Sequence, residues 1–230
     1  MKSRPWLPPL IVAALTAAPL LAGAAPTAAQ EPAPQPIRLP EARHEGPLSL
    51  EAALWARRSI RDLRPDSLTM SEAAQLLWAA QGKNRPDGHR TAPSARASYP
   101  LEIYLVAGSV AGLAPGVYRY RSATHDLVLA QAGDRRTELV GAPGRPSWAA
   151  GAPLIVVYAW ATDRAGGRLG PMAERFAAME VGFAGENVYL QAAALGLGTT
   201  FMAGFNEPAM ARVLGPAERA MGVMPVGRTR

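Results

Sequence analysis

The chain has 230 residues, a formal net charge of +6, no cysteine and three histidines. The lack of cysteine excludes disulfides, thiolate catalysis and cysteine metal sites, and His44, His89 and His125 are too far apart in sequence to form a metal-ligand pair, so we predict no metal. The arginines are scattered and not interleaved with aromatic residues, which argues against a nucleic-acid partner and leaves small anionic ligands as the use for the positive charge.

The N-terminal segment has the layout of a secretory signal peptide. A short basic region precedes the apolar stretch Leu7–Ala22, and small residues then offer cleavage sites after Ala24 or Ala29. We therefore predict a signal peptide at 1–29 and an exported protein, periplasmic or secreted. A retained membrane anchor is the alternative, but the apolar stretch is short for a span and contains proline, so we expect no stable span after cleavage. The proline- and charge-rich segment 30–47 is typical of a tether.

A single domain is expected from 48 to 230, and it begins with two helices. The first is predicted from about Ser49 to Arg58. The second is better marked, because Thr69 and Glu72 form a capping box and Gly82 can end the helix. Residues 83–99 show no periodicity and predict a long loop, a type of segment that is often functional.

Strands and helices then follow without strict alternation, which favours an α+β fold. The run from Leu154 to Trp160 is almost wholly apolar, as in a central strand buried on both faces. The other predicted strands are 101–107, 117–120, 127–129, 199–205 and 223–227. The remaining predicted helices are 134–140, 172–195 and 208–214.

The long predicted helix 172–195 carries two unusual pairs of residues. Gly182 and Gly185 lower helix propensity, and we expect another segment to pack closely on that face. Glu180 and Glu186 are candidate catalytic acids, although charges on a helix are more often solvated or paired.

A basic run follows the first helix: Arg57-Arg58-Ser59-Ile60-Arg61. Guanidinium groups beside a hydroxyl suit a phosphate dianion, because arginine offers paired charged hydrogen bonds. The same run is also compatible with a solvated basic helix end, where cations favour the C-terminal dipole. Gly196-Leu197-Gly198 does not make a dinucleotide fingerprint, since it follows a helix and precedes a strand.

Three segments together resemble the nitroreductase family, and specifically its SagB-type dehydrogenase branch. The first is the basic run. The second is Arg90 to Tyr104, which contains Pro93-Ser94-Ala95 and Tyr99-Pro100. The third runs from Glu180-Val181-Gly182 through Asn187 to Gly198 and closes with Met224-Pro225-Val226-Gly227-Arg228. Their order and spacing cover about residues 50–228.

The resemblance implies a central mixed sheet flanked by helices, a homodimer with FMN at its interface, and ping-pong hydride transfer with NAD(P)H as a candidate donor. The residues that it implies for FMN binding are Arg57, Arg58, Ser59, Arg61, Pro93, Ser94, Ala95, Met202, Ala203, Gly204 and Arg228. The residues of the basic run would hold the phosphate, the ribityl chain and the pyrimidine edge, and Arg228 would add a second phosphate contact. The Pro93-Ser94-Ala95 segment would lie against the flavin from the partner subunit. The stretch 202–204 would run past the ring with its backbone amides reaching N5 and O4. No catalytic residue is assigned.

Two departures from the branch bear on function. Its azoline-oxidising members carry a lysine-tyrosine pair where this chain has Arg168-Leu169, which argues against azoline oxidation, and Arg96 replaces the usual glycine after Pro93-Ser94-Ala95. We therefore expect an FMN-dependent oxidoreductase acting on a small, planar, electron-poor substrate such as a nitroaromatic or a quinone. The alternative is an exported flavin- or ligand-binding module on the same fold without turnover. The direction of hydride transfer is left open.

Overall fold

An antiparallel sheet runs through the computed structural model, which describes residues 35–141 and 147–230. Its strands are β1 (Ile37–Arg38), β2 (Leu63–Arg64), β3 (Leu101–Ala107), β4 (Gly116–Arg121), β5 (Asp126–Ala132), β6 (Leu154–Ala161), β7 (Leu197–Thr199) and β8 (Glu218–Thr229). They are ordered β1-β5-β4-β3-β6-β8-β2, and β7 also pairs with β8. The named strands of the described residues pair antiparallel, and the parallel component is an isolated bridge between Leu68 and Val110.

Some of the helices begin at a side-chain cap, and others have none. The helices are α1 (Leu50–Ala56), α2 (Met70–Gln81), α3 (Arg136–Val140), α4 (Thr162–Leu169), α5 (Ala173–Ala194) and α6 (Glu207–Leu214). The predicted capping box on α2 is confirmed: the Glu72 N–H donates to Thr69 Oγ1 over 3.2 Å, and the Thr69 N–H donates to Glu72 Oε2 over 2.8 Å. Ser49 caps α1 by accepting from the Ala52 N–H over 3.1 Å. Such caps satisfy amides that have no partner inside the helix.

Helices cover both faces of the sheet, so β3 and the centre of β6 are buried on both sides. On one face, α2 and α5 pack against Leu105, Val156 and Met224. On the other face, α3 and α6 pack against Ile155 and Val157. Alternate residues of one strand therefore enter different cores, as the period of two requires. This arrangement confirms the predicted α+β fold with a central sheet flanked by helices.

The long helix α5 buries small residues and exposes large ones. Its buried face includes Ala177, Ala184 and Val188, whereas Met179 and Phe183 are 49% and 46% exposed. Gly185 lies under the Phe201 ring, where an added Cβ would be 3.2 Å from a ring carbon. The expected close packing on the helix glycines is therefore found at Gly185. Gly182 is exposed, and no described side chain outside its immediate neighbours lies within 4 Å of the position that a Cβ would take there.

Part of the predicted tether belongs to the folded domain. Ile37 and Arg38 form β1 against β5, and Leu39 is buried and donates its N–H to His125 O over 3.2 Å. The Arg43 N–H donates to Gln75 Oε1 over 2.8 Å. The proline- and charge-rich composition of 30–47 predicted a tether, but residues 35–47 are part of the domain. A short edge strand and a few backbone hydrogen bonds can form in a segment with few apolar residues. Residues 1–34, including the predicted signal peptide, lie outside the described residues.

One other element prediction is wrong, and one helix was not predicted. The strand expected at 199–205 stops at Thr199, and the residues beyond it form a loop that meets β8 by a bridge between Met202 and Val223. Helix α4 follows β6 directly and was not predicted, because its two central glycines disfavour a helix. In the described part of the chain, no helix combines the length and the apolar character needed to cross a membrane.

Candidate flavin site

The basic run leaves the C-terminus of α1 and lies beside β7. Arg57 is the C-cap of α1 and donates its N–H to Ala53 O over 2.9 Å, while the Ile60 N–H donates to Thr199 O over 2.8 Å. A cavity of about 150 Å³ opens between these segments, lined among others by Arg57, Arg58, Tyr189 and Thr199. The first two arginines of the run and the end of β7 are thereby brought to one place.

Tyr189 of α5 joins the basic run to the loop after β7. Its hydroxyl accepts from the Phe201 N–H over 2.7 Å and lies 3.0 Å from Ser59 Oγ, and its ring centroid is 5.3 Å from Arg57 Cζ. A tyrosine hydroxyl can accept one hydrogen bond while donating another, so one side chain holds both segments. Sequence reasoning missed this residue. The signal was present, because Tyr189 lies in the Asn187–Gly198 segment that carries the family resemblance.

The arginines of this run have few acidic partners. Arg57 Nε lies 3.3 Å from Glu186 Oε1, in a pair whose two side chains are 36% and 45% exposed. Arg58 and Arg61 are exposed, and neither forms an ion pair with a carboxylate of the described residues. The local charge is therefore positive and favours an anionic ligand. Glu186, one of the two candidate acids, is a charge partner of Arg57.

Arg228 does not line this cavity. Its guanidinium lies 3.0 Å and 3.1 Å from the two oxygens of Glu72, at the N-terminus of α2. Its neighbour Thr229 lines the cavity instead. Successive side chains of a strand point to opposite faces, so Arg228 and Thr229 cannot both face the basic run. Within one chain Arg228 therefore lies outside this cavity and braces the capping box of α2, and its contact with the phosphate stays a prediction.

The stretch Met202–Gly204 adjoins the site through Phe201. The Met202 N–H donates to Val223 O over 2.8 Å, and the Val223 N–H donates back over 2.9 Å. The Met202 amide is thus used by the protein itself and has no proton to give a flavin atom. The amides of Ala203 and Gly204 make no hydrogen bond to another described residue. These two amides therefore remain as the candidate donors to flavin N5 and O4.

A second cavity, separate from the one beside β7, contains the Pro93-Ser94-Ala95 segment. These three residues line it together with Phe176, Met179, Glu180 and Phe183 of α5, and its volume is about 320 Å³. From Glu180 to Tyr189 the helix rises by about 13.5 Å, at 1.5 Å per residue. In one chain, the basic run and the Pro93–Ala95 segment therefore lie at two separate places along α5.

The loop after Ser94 has a strained backbone. Arg96, Ala97 and Tyr99 have φ of 52°, 49° and 45°, in the left-handed region that costs a residue with a Cβ on the order of 1–2 kcal/mol. Ser94 Oγ accepts from the Tyr99 N–H over 2.8 Å and closes this turn. Strain of this kind persists only where the surroundings hold it, and it concentrates at functional sites.

A buried polar chain supports this loop from below. Gln81 Nε2 donates to Glu180 Oε1 over 2.7 Å, and Arg90 Nη1 donates to Gln81 Oε1 over 2.8 Å. Glu180 is 2% exposed. Burial raises the pKa of Glu180, and its hydrogen bonds with Ser94 and Gln81 oppose that shift. The second candidate acid is therefore not solvated, and it forms no direct ion pair with another residue that the structure describes.

Comparison with known proteins agrees on one family. The family model described as "Nitroreductase family" matches residues 54–228. The protein MJ1384 of Methanocaldococcus jannaschii, provisionally named a nitroreductase, is 36% identical over 192 residues, covering 84% of this chain and 96% of its own length.

Solved structures give the same result. A provisionally named nitroreductase from Ralstonia eutropha JMP134 is 29% identical with a TM-score of 0.74, over 87% of this chain and 96% of that one. The Escherichia coli microcin synthetase McbBCD complex contains a chain that is 20% identical with a TM-score of 0.64, over 74% of this chain and 67% of that one, which shows the fold alone. Nitroreductase-family proteins are flavin-dependent, usually with FMN and with NAD(P)H as donor, and are typically dimers that act on small substrates. The family match over most of the domain, together with the relative that it covers almost completely, shows that this chain belongs to the nitroreductase family and has the general role of a flavin-dependent oxidoreductase.

Proposed function

We propose that the chain is an FMN-dependent oxidoreductase that transfers hydride to or from a small, planar, electron-poor substrate such as a nitroaromatic or a quinone. The observation that carries the proposal is the cavity beside β7. It joins Arg57 and Arg58 to Tyr189 of α5, inside a chain of the flavin-dependent nitroreductase family. When bound, the flavin supplies two-electron chemistry by taking up a hydride and passing it on in alternating half-reactions.

The residues around this cavity fit the phosphate of FMN. Its volume of about 150 Å³ suits a phosphate group rather than a ring system. Arg57 and Arg58 supply charged donors, and Ser59 adds a hydroxyl held 3.0 Å from Tyr189 Oη. Arg61, further along the run, is proposed to bring positive charge to the pyrimidine edge. A cation there favours the reduced, anionic form of a flavin and raises its potential.

A homodimer would unite the two groups of site residues. Phe183 and Met179 leave apolar surface open beside Pro93, and Trp55 of α1 is 92% exposed. Large apolar groups exposed on neighbouring helices are typical of surfaces that pair with a partner. We propose that α1 and α5 form the dimer contact, and that Pro93, Ser94 and Ala95 of one subunit complete the flavin site of the other.

The cavity beside Pro93 suits an apolar, flat acceptor. Phe176, Met179 and Phe183 dominate its wall, and its volume of about 320 Å³ is that of a small-molecule site. Hydride transfer depends on stacking and orientation more than on acid and base side chains. We place the chain near the SagB-type dehydrogenases on its sequence motifs. With Arg168-Leu169 in place of the lysine-tyrosine pair, we do not propose azoline oxidation.

We also propose export. The support is the layout of residues 1–29, with a basic start, an apolar stretch and small residues before the cleavage sites. Flavin would then have to be acquired outside the cytoplasm or carried through export, and the electron donor need not be NAD(P)H. Fractionation of cells that express the full chain, followed by N-terminal sequencing of the product, tests both the compartment and the cleavage site.

The enzymatic proposal has a direct test. Purified protein is incubated with FMN and desalted, its flavin absorbance is recorded, and oxidation of NADH and NADPH is then followed with a quinone or a nitroaromatic acceptor. Retained flavin and acceptor-dependent turnover support the proposal, and parallel lines in double-reciprocal plots support the ping-pong order. The binding-module alternative would be favoured if the protein retained flavin but did not turn over with NADH or NADPH. In that case chemically reduced flavin on the protein should also fail to reduce the acceptor.

A further inference from the structure

Four arginines from three parts of the fold line one cavity of about 210 Å³. Arg90 comes from the loop after α2, Arg119 and Arg121 from β4, and Arg164 from α4. None of them belongs to the basic run beside β7. This arginine cavity therefore goes beyond the proposed flavin site and does not depend on it.

A single buried carboxylate holds two of the four. The side chain of Glu102 is 8% exposed, and it accepts from Arg119 Nε over 2.8 Å and from Arg119 Nη2 over 2.7 Å. Arg164 Nη2 also donates to Glu102, and Arg164 Nη1 donates to Tyr99 O over 3.2 Å. The guanidinium groups of Arg119 and Arg164 are thus fixed from below while remaining 43% and 37% exposed.

The other two are also held by neighbouring side chains, Arg121 by a buried carboxylate and Arg90 by an amide and an aromatic ring. Arg121 makes two hydrogen bonds of 2.6 Å to the oxygens of Asp126, whose side chain is 7% exposed. Arg90 donates to Gln81 and stacks on the Tyr99 ring, with its Cζ 4.3 Å from the centroid. Burial lowers the pKa of Arg90, as expected for a cation that has left water without a carboxylate of its own.

The count of charges leaves an excess of cations. The four guanidinium groups share the two carboxylates of Glu102 and Asp126, for a net charge of +2. Glu180 reaches Arg90 through Gln81, and even a fully ionised Glu180 leaves a net charge of +1. Arginines that served only to close a surface would be matched by carboxylates. Here each guanidinium is held on one side and keeps further N–H groups for a ligand.

We propose that the arginine cavity binds a small oxyanion, either a carboxylate or a phosphate monoester. Guanidinium groups in fixed positions recognise both by paired, charged hydrogen bonds. A volume of about 210 Å³ excludes a dinucleotide and admits an anion the size of a dicarboxylate or a phosphate. Because Arg90 and Arg164 both touch Tyr99, the bound anion also steadies the strained Ser94–Tyr99 turn.

Isothermal titration of the purified chain with sodium malonate and with sodium phosphate tests this site at constant ionic strength. Arg119→Gln with Arg121→Gln should weaken binding at least about tenfold, since each loses charged hydrogen bonds. Arg57→Gln with Arg58→Gln should leave malonate or phosphate binding at the arginine cavity in place. Arg175→Gln with Arg212→Gln, two exposed arginines elsewhere, controls for net charge.

The outcomes separate the possibilities. Binding of malonate and phosphate assigns a general oxyanion site, and binding of one alone names the class of ligand. Binding lost in Arg57→Gln/Arg58→Gln but kept in Arg119→Gln/Arg121→Gln overturns the proposal, and so does a chain that binds neither malonate nor phosphate. If the glutamine pair unfolds, Arg119→Lys with Arg121→Lys keeps the charge, removes the paired geometry and should still weaken binding. FMN retention should not change in the Arg119 and Arg121 variants and should fall in Arg57→Gln/Arg58→Gln, so a failure here is distinct from a failure of the flavin site.

Discussion

Tyr189 ties the basic run to the loop after β7, and its hydroxyl is the most informative single group to remove. The change is Tyr189→Phe, which keeps the ring that lies 5.3 Å from Arg57 Cζ and deletes only the oxygen. Two contacts are lost: the 2.7 Å bond from the Phe201 N–H and the 3.0 Å bond with Ser59 Oγ. The half-buried Phe201 amide is left without its partner.

The magnitude follows from these two contacts. An amide that loses its partner costs about 1–3 kcal/mol and a neutral hydrogen bond contributes about 1 kcal/mol, with the value reduced because Ser59 can turn to water. We expect the free energy of unfolding to fall by about 1–2 kcal/mol, which lowers Tm by about 2–8 °C in a domain of this size. Loss of the Ser59 position should also weaken FMN binding by about three- to tenfold.

Urea denaturation and FMN fluorescence titration measure the two effects. Tyr118→Phe is the matched control, because Tyr118 Oη donates to Ala114 O over 2.8 Å in β4 and the turn before it, away from the basic run. The control should lose about 1 kcal/mol of stability and bind FMN normally. If Tyr189→Phe matched the wild type in FMN affinity while both variants lost the same stability, Tyr189 would have no part in the flavin site.

Three further predictions concern the dimer, the core and the pH response. Met179→Lys with Phe183→Lys should convert a dimer into a monomer in sedimentation velocity, whereas Arg175→Gln on the same helix should leave the dimer intact; a dimer that survives the lysines would rule out this face of α5. Leu105→Ala in β3, at 0% exposure, should cost about 2–5 kcal/mol in denaturant melts, and Leu54→Ala, at 51% exposure, much less unless Leu54 is covered in the dimer. Burial raises the pKa of Glu180 above 4.5, so the folded chain holds this proton more tightly than the unfolded chain. The stabilisation from protonated Glu180 is complete below pH 4.5 and is lost as pH rises through the pKa of Glu180 in the folded chain. Over this pH range Glu180→Gln should become progressively more stable than the wild type. Parallel plots of stability against pH for the two proteins would contradict this.

Elements with local signals could be predicted from the sequence. The capping box of Thr69 and Glu72 contains both partners within four residues, and the apolar run of β6 needs no knowledge of its neighbours. The short strands β1 and β2 have two residues each and exist because β5 and β8 offer unpaired edges. No pattern within Ile37–Arg38 encodes that pairing. Non-local hydrogen bonding decided those elements.

In the candidate site, too, local features could be predicted from the sequence and features that depend on non-local contacts could not. The motif of the basic run is local, and it was found together with its chemistry. The direction in which Arg228 points depends on the register of β8 against β2, and a shift of one residue exchanges it with Thr229. The partners of Glu180 come from α2 and from the loop before β3, so its burial could be inferred only from its place among Ala177, Val181 and Ala184.

The preference of the protein for FMN over riboflavin tests the phosphate assignment most directly, since the two ligands differ only in the phosphate. Dissociation constants for both are measured by flavin fluorescence on the wild type, on Arg57→Ala with Arg58→Ala, and on Arg175→Ala with Arg212→Ala as a charge control. We predict that Arg57→Ala with Arg58→Ala lowers FMN affinity by about 100-fold or more, because each charged hydrogen bond contributes roughly 1.5–3 kcal/mol to binding. Riboflavin affinity should change little. An unchanged preference for FMN in the Arg57 and Arg58 variant, with the fold intact, would contradict the assignment of this cavity to the flavin phosphate.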